Sequence, residues 1–154
     1  MQQTRPFVRV RAASEHDLSE LARLDREAFP ASPYPYFVLR QFVVAFADHL
    51  LVAEEEGQMC GYVLATPPRE ARSWIFSLGV APGRRGQGLG RALMRESLER
   101  LRRLGTGTVH TWVDPGNTPA VLLYKSLGFV LDATEPEKDY FGPGEHRLLM
   151  TLTL

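Results

Sequence analysis

Residues 78–91, Leu-Gly-Val-Ala-Pro-Gly-Arg-Arg-Gly-Gln-Gly-Leu-Gly-Arg, constrain the fold more than any other stretch of the chain. An apolar strand pattern ends at Val80, a Pro82-Gly83 corner follows, and a basic, glycine-rich turn runs into an amphipathic helical pattern. Gly86, Gly88 and Gly90 let the main chain turn tightly and approach a ligand closely. A helix that opens there presents N–H groups without intrahelical partners and the positive end of its dipole, which together suit a phosphate or pyrophosphate. Arg84, Arg85 and Arg91 add positive charge at the same end. The stretch reads as an anion cradle at a strand-to-helix junction. It is not a nucleoside-triphosphate loop, because no Gly-x-x-x-x-Gly-Lys-Ser/Thr run exists. The dinucleotide fingerprint Gly-x-Gly-x-x-Gly fits poorly, since these glycines fall at i, i+2 and i+4.

The basic cluster stands out because the background is neutral: Lys+Arg and Asp+Glu number 18 each. No global charge draws the chain to nucleic acid or an anionic membrane, so neither is expected as a partner. A length of 154 residues predicts a single domain, 1–154, with room for one sizeable core. The lone cysteine, Cys60, excludes an intramolecular disulfide and a multi-cysteine metal site, and its apolar surroundings predict a packed strand residue. No metal is expected. The N-terminus lacks signal-peptide architecture and no apolar run is long enough to span a bilayer, which predicts a cytoplasmic protein.

Local patterns give the element order. Phe7 to Arg11 alternates as a first strand, and Ser14-Glu15-His16-Asp17 is a near capping box opening a helix to about residue 28. Three prolines between Phe29 and Pro35 break it, and a second helix is predicted from Tyr36 to Ala47. Leu50 to Glu54 and Gln58 to Thr66 read as paired strands around Glu55-Glu56-Gly57, and Ser73 to Val80 as a strand covered on both faces. The helix after the cradle spans about Gly88 to Leu104, with Leu89, Leu93, Leu101 and Leu104 facing inward and Gly105 ending it. A strand from Thr108 to Val113, a turn at Asp114-Pro115-Gly116-Asn117, a helix to about Leu127 and a strand at 129–131 follow. A polar loop from Glu135 to Glu145 leads to the last strand, Arg147 to Thr153. The order β-α-α-β-β-β-α-β-α-β-β is that of an α/β fold, helices flanking a mixed sheet.

Arg85-x-x-Gly88-x-Gly90 resembles the Gln/Arg-x-x-Gly-x-Gly/Ala signature of the GNAT superfamily of N-acetyltransferases. About 30 residues on, Asn117-x-x-Ala120-x-x-Leu123-Tyr124-x-x-x-Gly128-Phe129 resembles the second motif of the same superfamily, and nothing in helix formation requires those residues at those offsets. Over nearly the full chain the sequence is most similar to the bacterial ribosomal-protein N-terminal alanine acetyltransferases and their relatives. The resemblance implies a GNAT-like mixed central sheet flanked by helices, with acetyl-CoA as cosubstrate. It further implies that main-chain groups of Leu78, Gly79 and Val80 pair with the pantetheine arm, and that Arg85, Gly86, Gln87, Gly88, Leu89, Gly90 and Arg91 hold the pyrophosphate through their amides. Asn117 would contact the arm near its reactive end, besides capping its helix, and Tyr124 would protonate the departing thiolate.

The sequence departs from the pattern at the base. Those relatives carry a glutamate where this chain has Trp112, and residues 73–80 contain no carboxylate or histidine. Period-two geometry puts His110, Trp112 and Asp114 on one strand face, so His110 or Asp114, through water, or a solvent channel alone, is the expected route for the amine proton. Tyr34, Tyr36, Trp112 and Tyr140 are the expected acceptor contacts, Tyr34, Tyr36 and Tyr140 lying in the segments that choose the acceptor in this fold. The expected reaction is direct transfer of acetyl to a primary amine, at a protein N-terminus or on a small amine or amino-acid metabolite, by a monomer or homodimer. The missing glutamate makes a non-catalytic acyl-CoA-binding or sensing module the alternative.

Overall fold

Alternation and helical spacing become elements in the expected order in a computed structural model, which describes residues 7–154. The reading of the N-terminus for a signal peptide falls partly outside those residues. Strands β1 (Val8–Ala12), β2 (Leu50–Glu55), β3 (Gln58–Ala65), β4 (Arg72–Val80), β5 (Thr108–Val113), β6 (Val130–Leu131) and β7 (Leu148–Thr153) hydrogen-bond in the order β1-β2-β3-β4-β5-β7-β6. Helices α1 (Leu18–Ala28) and α2 (Tyr36–Ala45) precede β2, α3 (Leu89–Arg103) follows β4, and α4 (Thr118–Ser126) follows β5. The sheet is mixed: β4 pairs with β5 in parallel, whereas β1–β2, β2–β3, β5–β7 and β6–β7 are antiparallel. No helix among the described residues is long and apolar enough to cross a membrane.

Contacts group the chain into two units, one running up to Ala65 and resuming at Ser77–Glu99, the other combining Thr66–Phe76 with Arg100–Leu154. In the first, β2 and β3 are buried almost throughout, as strands covered on both faces must be. Leu18, Leu21, Ala22 and Leu24 of α1 pack with Leu39 and Val43 of α2 and with Leu50, Val52 and Tyr62 of the sheet. Cys60 is a buried strand residue whose thiol donates to the Ala53 carbonyl at 3.3 Å. In the second, β5 buries Val109, Thr111 and Val113 and leaves His110 and Trp112 half-buried on the opposite face, the period-two division expected of it.

Three local expectations change. β4, expected to be covered on both faces, leaves Phe76 48% exposed. The helix predicted from residue 15 begins as a 3-10 turn over Glu15–Asp17 and becomes α-helical only at Leu18. Asp17 is drawn aside there: its carboxylate accepts both Arg11 guanidinium N–H groups at 2.8 Å and the Ser14 main-chain N–H at 2.7 Å. Leu104, expected to face inward, is 55% exposed. α3 stops at Arg103, and the chain closes it with Gly105 N–H donating to the Arg102 carbonyl and Thr106 N–H to the Leu101 carbonyl, the double bond of a Schellman cap. That cap swings Leu104 off the helical period, while Leu89, Leu93 and Leu101 stay buried.

The Arg11 guanidinium holds the Asp17 carboxyl at about 2, below its ordinary 3.8. The folded state therefore gains stability above pH 3.8 that drains away as pH falls through about 2. Asp17→Asn should lower stability at neutral pH by about 1–2 kcal/mol, discounted because Arg11 is partly exposed, and should flatten the acid side of a Tm-against-pH curve. An acid limb as steep as that of the parent protein would show that the pair contributes nothing.

Candidate functional site

The first unit carries the cradle. β4 ends at Val80, a 3-10 turn covers Pro82–Arg84, and α3 starts at Leu89. Gly86 and Gly88 take φ of +77° and +82°, the left-handed region that side chains other than glycine seldom adopt. A Cβ at either position would meet nothing within 4 Å, so these glycines answer to backbone conformation and leave an open face. The Gly88 carbonyl accepts the Ala92 N–H, which puts Gly88 at the N-terminal boundary of α3, ahead of amides with no carbonyl four residues back inside the helix. Amide donors, a helix N-terminus and neighbouring arginines form a donor set that fits a pyrophosphate.

The cradle's arginines are braced by protein groups. Arg84 forms an ion pair with Glu55 and donates from Nε to Gln87 Oε1 at 2.9 Å. Glu55, expected in a turn, is the last residue of β2 and only 8% exposed. With Glu56, Gln58, Arg84 and Gln87 it lines a pocket of about 370 Å³. Arg85 donates to the Ala28 carbonyl at 3.3 Å, a cation at the C-terminal end of α1, where the helix dipole favours it. Gly79 answers to space: a Cβ there would lie 2.7 Å from Tyr62 Cε1 and 3.1 Å from Phe29 Cε2. Its neighbours Leu78 and Val80 are half-buried.

The second unit carries the motif helix. Asn117 caps α4, its Oδ1 accepting the Ala120 N–H at 3.3 Å. Tyr124 is buried against Phe129, ring centroids 5.3 Å apart, and hydrogen-bonds Thr111 on β5. Burial pushes its phenol up to about 12. The Thr111 hydroxyl donates in turn to the Ile75 carbonyl at 3.2 Å, at the last pair of the parallel ladder that runs from Arg72↔Thr108 to Ile75↔Thr111.

Both nitrogens of His110 are engaged. Nδ1 lies 2.9 Å from Thr151 Oγ1, and Nε2 lies 3.1 Å from Thr108 Oγ1. Thr151 spends its own proton on Asp132 Oδ1 at 2.7 Å, so the network assigns the ring proton to Nδ1 and the lone pair to Nε2. Burial, with Arg72 nearby, moves the imidazole below its usual range. Asp114 Oδ1 accepts the Gly116 N–H at 2.8 Å and shapes the turn. Trp112 and Tyr140 come together as a stacked pair, centroids 4.0 Å apart at 27°, and Tyr140 continues to Phe141, over which the Arg147 guanidinium sits at 4.8 Å. In the first unit Tyr34 packs edge-on against Phe42, and Tyr36, half exposed, opens α2. No group of three or more acidic, histidine or cysteine side chains among the described residues could hold a metal.

Three contributors were missed in the sequence: Glu55, Thr111 and a buried Asp25–Tyr62 pair whose hydrogen bond is 2.5 Å. Asp25 left a trace, a carboxylate on the apolar stripe of α1, but the other two sit in ordinary strand patterns.

The model of the acetyltransferase (GNAT) family matches residues 16–129. An N-alpha-acetyltransferase of Sulfurisphaera tokodaii is 27% identical over 95% of this chain and 93% of its own length. The N-alpha-acetyltransferase RimI of Mycobacterium tuberculosis is 30% identical, covering 79% of this chain and 78% of its own. The crystal structure of Ard1 from Thermoplasma volcanium superposes with a TM-score of 0.86 at 20% identity, over 96% of this chain and 97% of that one. Relatives named for catalysis do not favour the non-catalytic alternative.

Thr111 is the hydrogen-bond partner of a buried phenol and of a main-chain carbonyl. Thr111→Val keeps the shape and strips both bonds, so unfolding in urea should show a loss of about 1–3 kcal/mol, with Thr111→Ser recovering most of it. Equal stability of Thr111→Val and the parent protein would remove Thr111 from this account.

Proposed function

The chain belongs to the GNAT acetyltransferase family, and from that membership we propose that it transfers acetyl from acetyl-CoA to the α-amine of a protein N-terminus, with a small amine or amino-acid metabolite as the second acceptor class. The observation that carries the donor half is the turn before α3, where left-handed backbone at Gly86 and Gly88 leaves an open face beside a helix N-terminus. The names of the relatives, N-alpha-acetyltransferases of comparable length, support the acceptor half. The same reading puts the protein in the cytoplasm as a monomer or homodimer, with neither nucleic acid nor membrane as partner.

In this reading the main chain of Leu78, Gly79 and Val80 is the rail for the pantetheine arm. The amides from Gly86 to Arg91, through Gln87, Gly88, Leu89 and Gly90, with Arg85 alongside, seat the pyrophosphate. Asn117 meets the arm near its reactive end. Acetyl-CoA, when bound, supplies the thioester carbonyl to which the amine adds. A C–N bond forms and the C–S bond breaks; one proton leaves the amine and one reaches the departing sulfur. Tyr124 is the donor of the second proton: burial keeps the phenol protonated, at about 12, and the transfer requires its hydroxyl to turn from Thr111 to the sulfur. His110 Nε2, or the Asp114 carboxylate through water, accepts the first. Burial holds the imidazole below its usual range, which favours the neutral form that can accept a proton. Tyr34 and Tyr36 of the first unit, and Trp112 and Tyr140 of the second, are the candidate acceptor contacts.

The test incubates the protein with acetyl-CoA and a panel of N-terminal peptides, lysine-only peptides and small amines while free thiol is followed. N-terminal peptides should turn over fastest, and thermal stabilisation by CoA with no turnover anywhere on the panel would refute the activity. Tyr124→Phe should cut kcat by roughly 10²-fold or more, with CoA affinity unchanged. Should His110→Gln with Asp114→Asn leave the pH–rate profile as it was, neither residue is the base and solvent takes the proton.

A further inference from the structure

Asp25 has no exposed surface, although it lies on the face of α1 formed by Leu18, Leu21, Ala22 and Ala28. A carboxylate so placed is costly unless its oxygens are hydrogen-bonded, and both are. Oδ1 accepts the Tyr62 hydroxyl at 2.5 Å, and Oδ2 accepts the main-chain N–H of Tyr34 at 2.7 Å. Tyr62, 1% exposed, also lies 2.7 Å from Ser77 Oγ on β4. A phenol has one proton; Tyr62 gives it to Asp25, so Ser77 is the donor in the second bond. Burial pushes the Tyr62 phenol well above its usual range, which keeps that proton in place. One continuous chain of bonds thus runs from Ser77 through Tyr62 to Asp25 and on to Tyr34. It joins β4, one residue before Leu78, to the segment between α1 and α2.

Tyr34 packs its ring on Phe42, but that segment has few main-chain hydrogen bonds to hold its register. Pro30, Pro33 and Pro35 bring no N–H, and the Ser32 N–H is turned inward to the Phe29 carbonyl at 3.2 Å. Tyr34 N–H is therefore a scarce main-chain donor, and it is spent on Asp25. We propose that Asp25 and Tyr62 are positioning residues that hold the α1–α2 segment, with Tyr34 and Tyr36, in fixed register with the β4 rail, so that acceptor affinity depends on a buried carboxylate that does not touch the acceptor. This rests on the acceptor role assigned above to Tyr34 and Tyr36.

Two near-isosteric substitutions separate the links. Asp25→Asn presents an NH2 group to one of two donors and so loses a tether at constant volume. Tyr62→Phe keeps the ring against Gly79 and loses both hydroxyl bonds. Each variant should bind CoA within about twofold of the parent while acceptor KM rises about tenfold, the scale of one lost buried hydrogen bond, with kcat little changed. Because both interrupt one chain, the double variant should fall short of the product of the single effects. Amide hydrogen exchange, read on the same proteins without substrate, should accelerate about tenfold in residues 31–36 and stay unchanged in β3. Unchanged exchange in that segment, a multiplicative double variant, or CoA affinity falling as far as acceptor affinity would each overturn the proposal. If Asp25→Asn fails to fold, Tyr62→Phe and Ser77→Ala give the same readings. If the parent protein acetylates nothing, the activity has failed, and exchange alone still decides the tether.

Discussion

Left-handed backbone at Gly86 and Gly88 is the constraint on which the cradle depends. It lets the chain leave β4, turn and enter α3, whose first amides have no intrahelical partners. Neither glycine is packed against anything, so it is the left-handed conformation, not crowding, that requires them, and the face they leave is open. Gly79, seven residues earlier, is a glycine for the opposite reason, because Tyr62 and Phe29 fill the space a side chain would need. One stretch thus holds glycines of two kinds, one set required by left-handed backbone and the other by close packing.

The arginines beside the turn follow the same economy. Arg84 is held by Glu55 and Gln87, and Arg85 reaches the end of α1 at Ala28. Their charge still raises the local potential, but their geometry is fixed by protein partners. In the proposed function the seat for the anion is built from main-chain amides, which would lose no rotamer freedom on binding, while the side chains would supply field and stiffness. A preorganised seat of that kind fits a donor that must be bound the same way whatever the acceptor.

Element order was legible because its signals are local. Alternation in β5, prolines after α1, and Gly105 behind α3 each act within a few residues of themselves. Leu104 was misplaced because a periodic pattern carries no notice of where a cap will break it. The cradle and the Asn117–Phe129 motif were legible as well, since they are strings. Asp25 with Tyr62, and Thr111 with Tyr124, were not, because each pair joins residues far apart in sequence and each member alone looks ordinary. What fixes Tyr124 as a neutral phenol is burial, and no spacing rule reports burial of a polar tip.

The absence of a glutamate at position 112 bears on which amine this chemistry can use. An α-amine with an ordinary pKa of about 7.7–8.0 is already neutral in roughly one molecule in ten at pH 7, whereas a lysine near 10.4 is neutral in about one in 2,500. A strong, well-placed base is worth far more to the second than to the first. Here the imidazole of His110 is tied between Thr108 and Thr151, and Asp114 is occupied with Gly116. Trp112 instead spends its surface on Tyr140, stacked at 4.0 Å. A site that gives the base position to an aromatic slab trades proton-accepting power for apolar contact. An α-amine, already partly neutral at pH 7, tolerates that trade better than a lysine does.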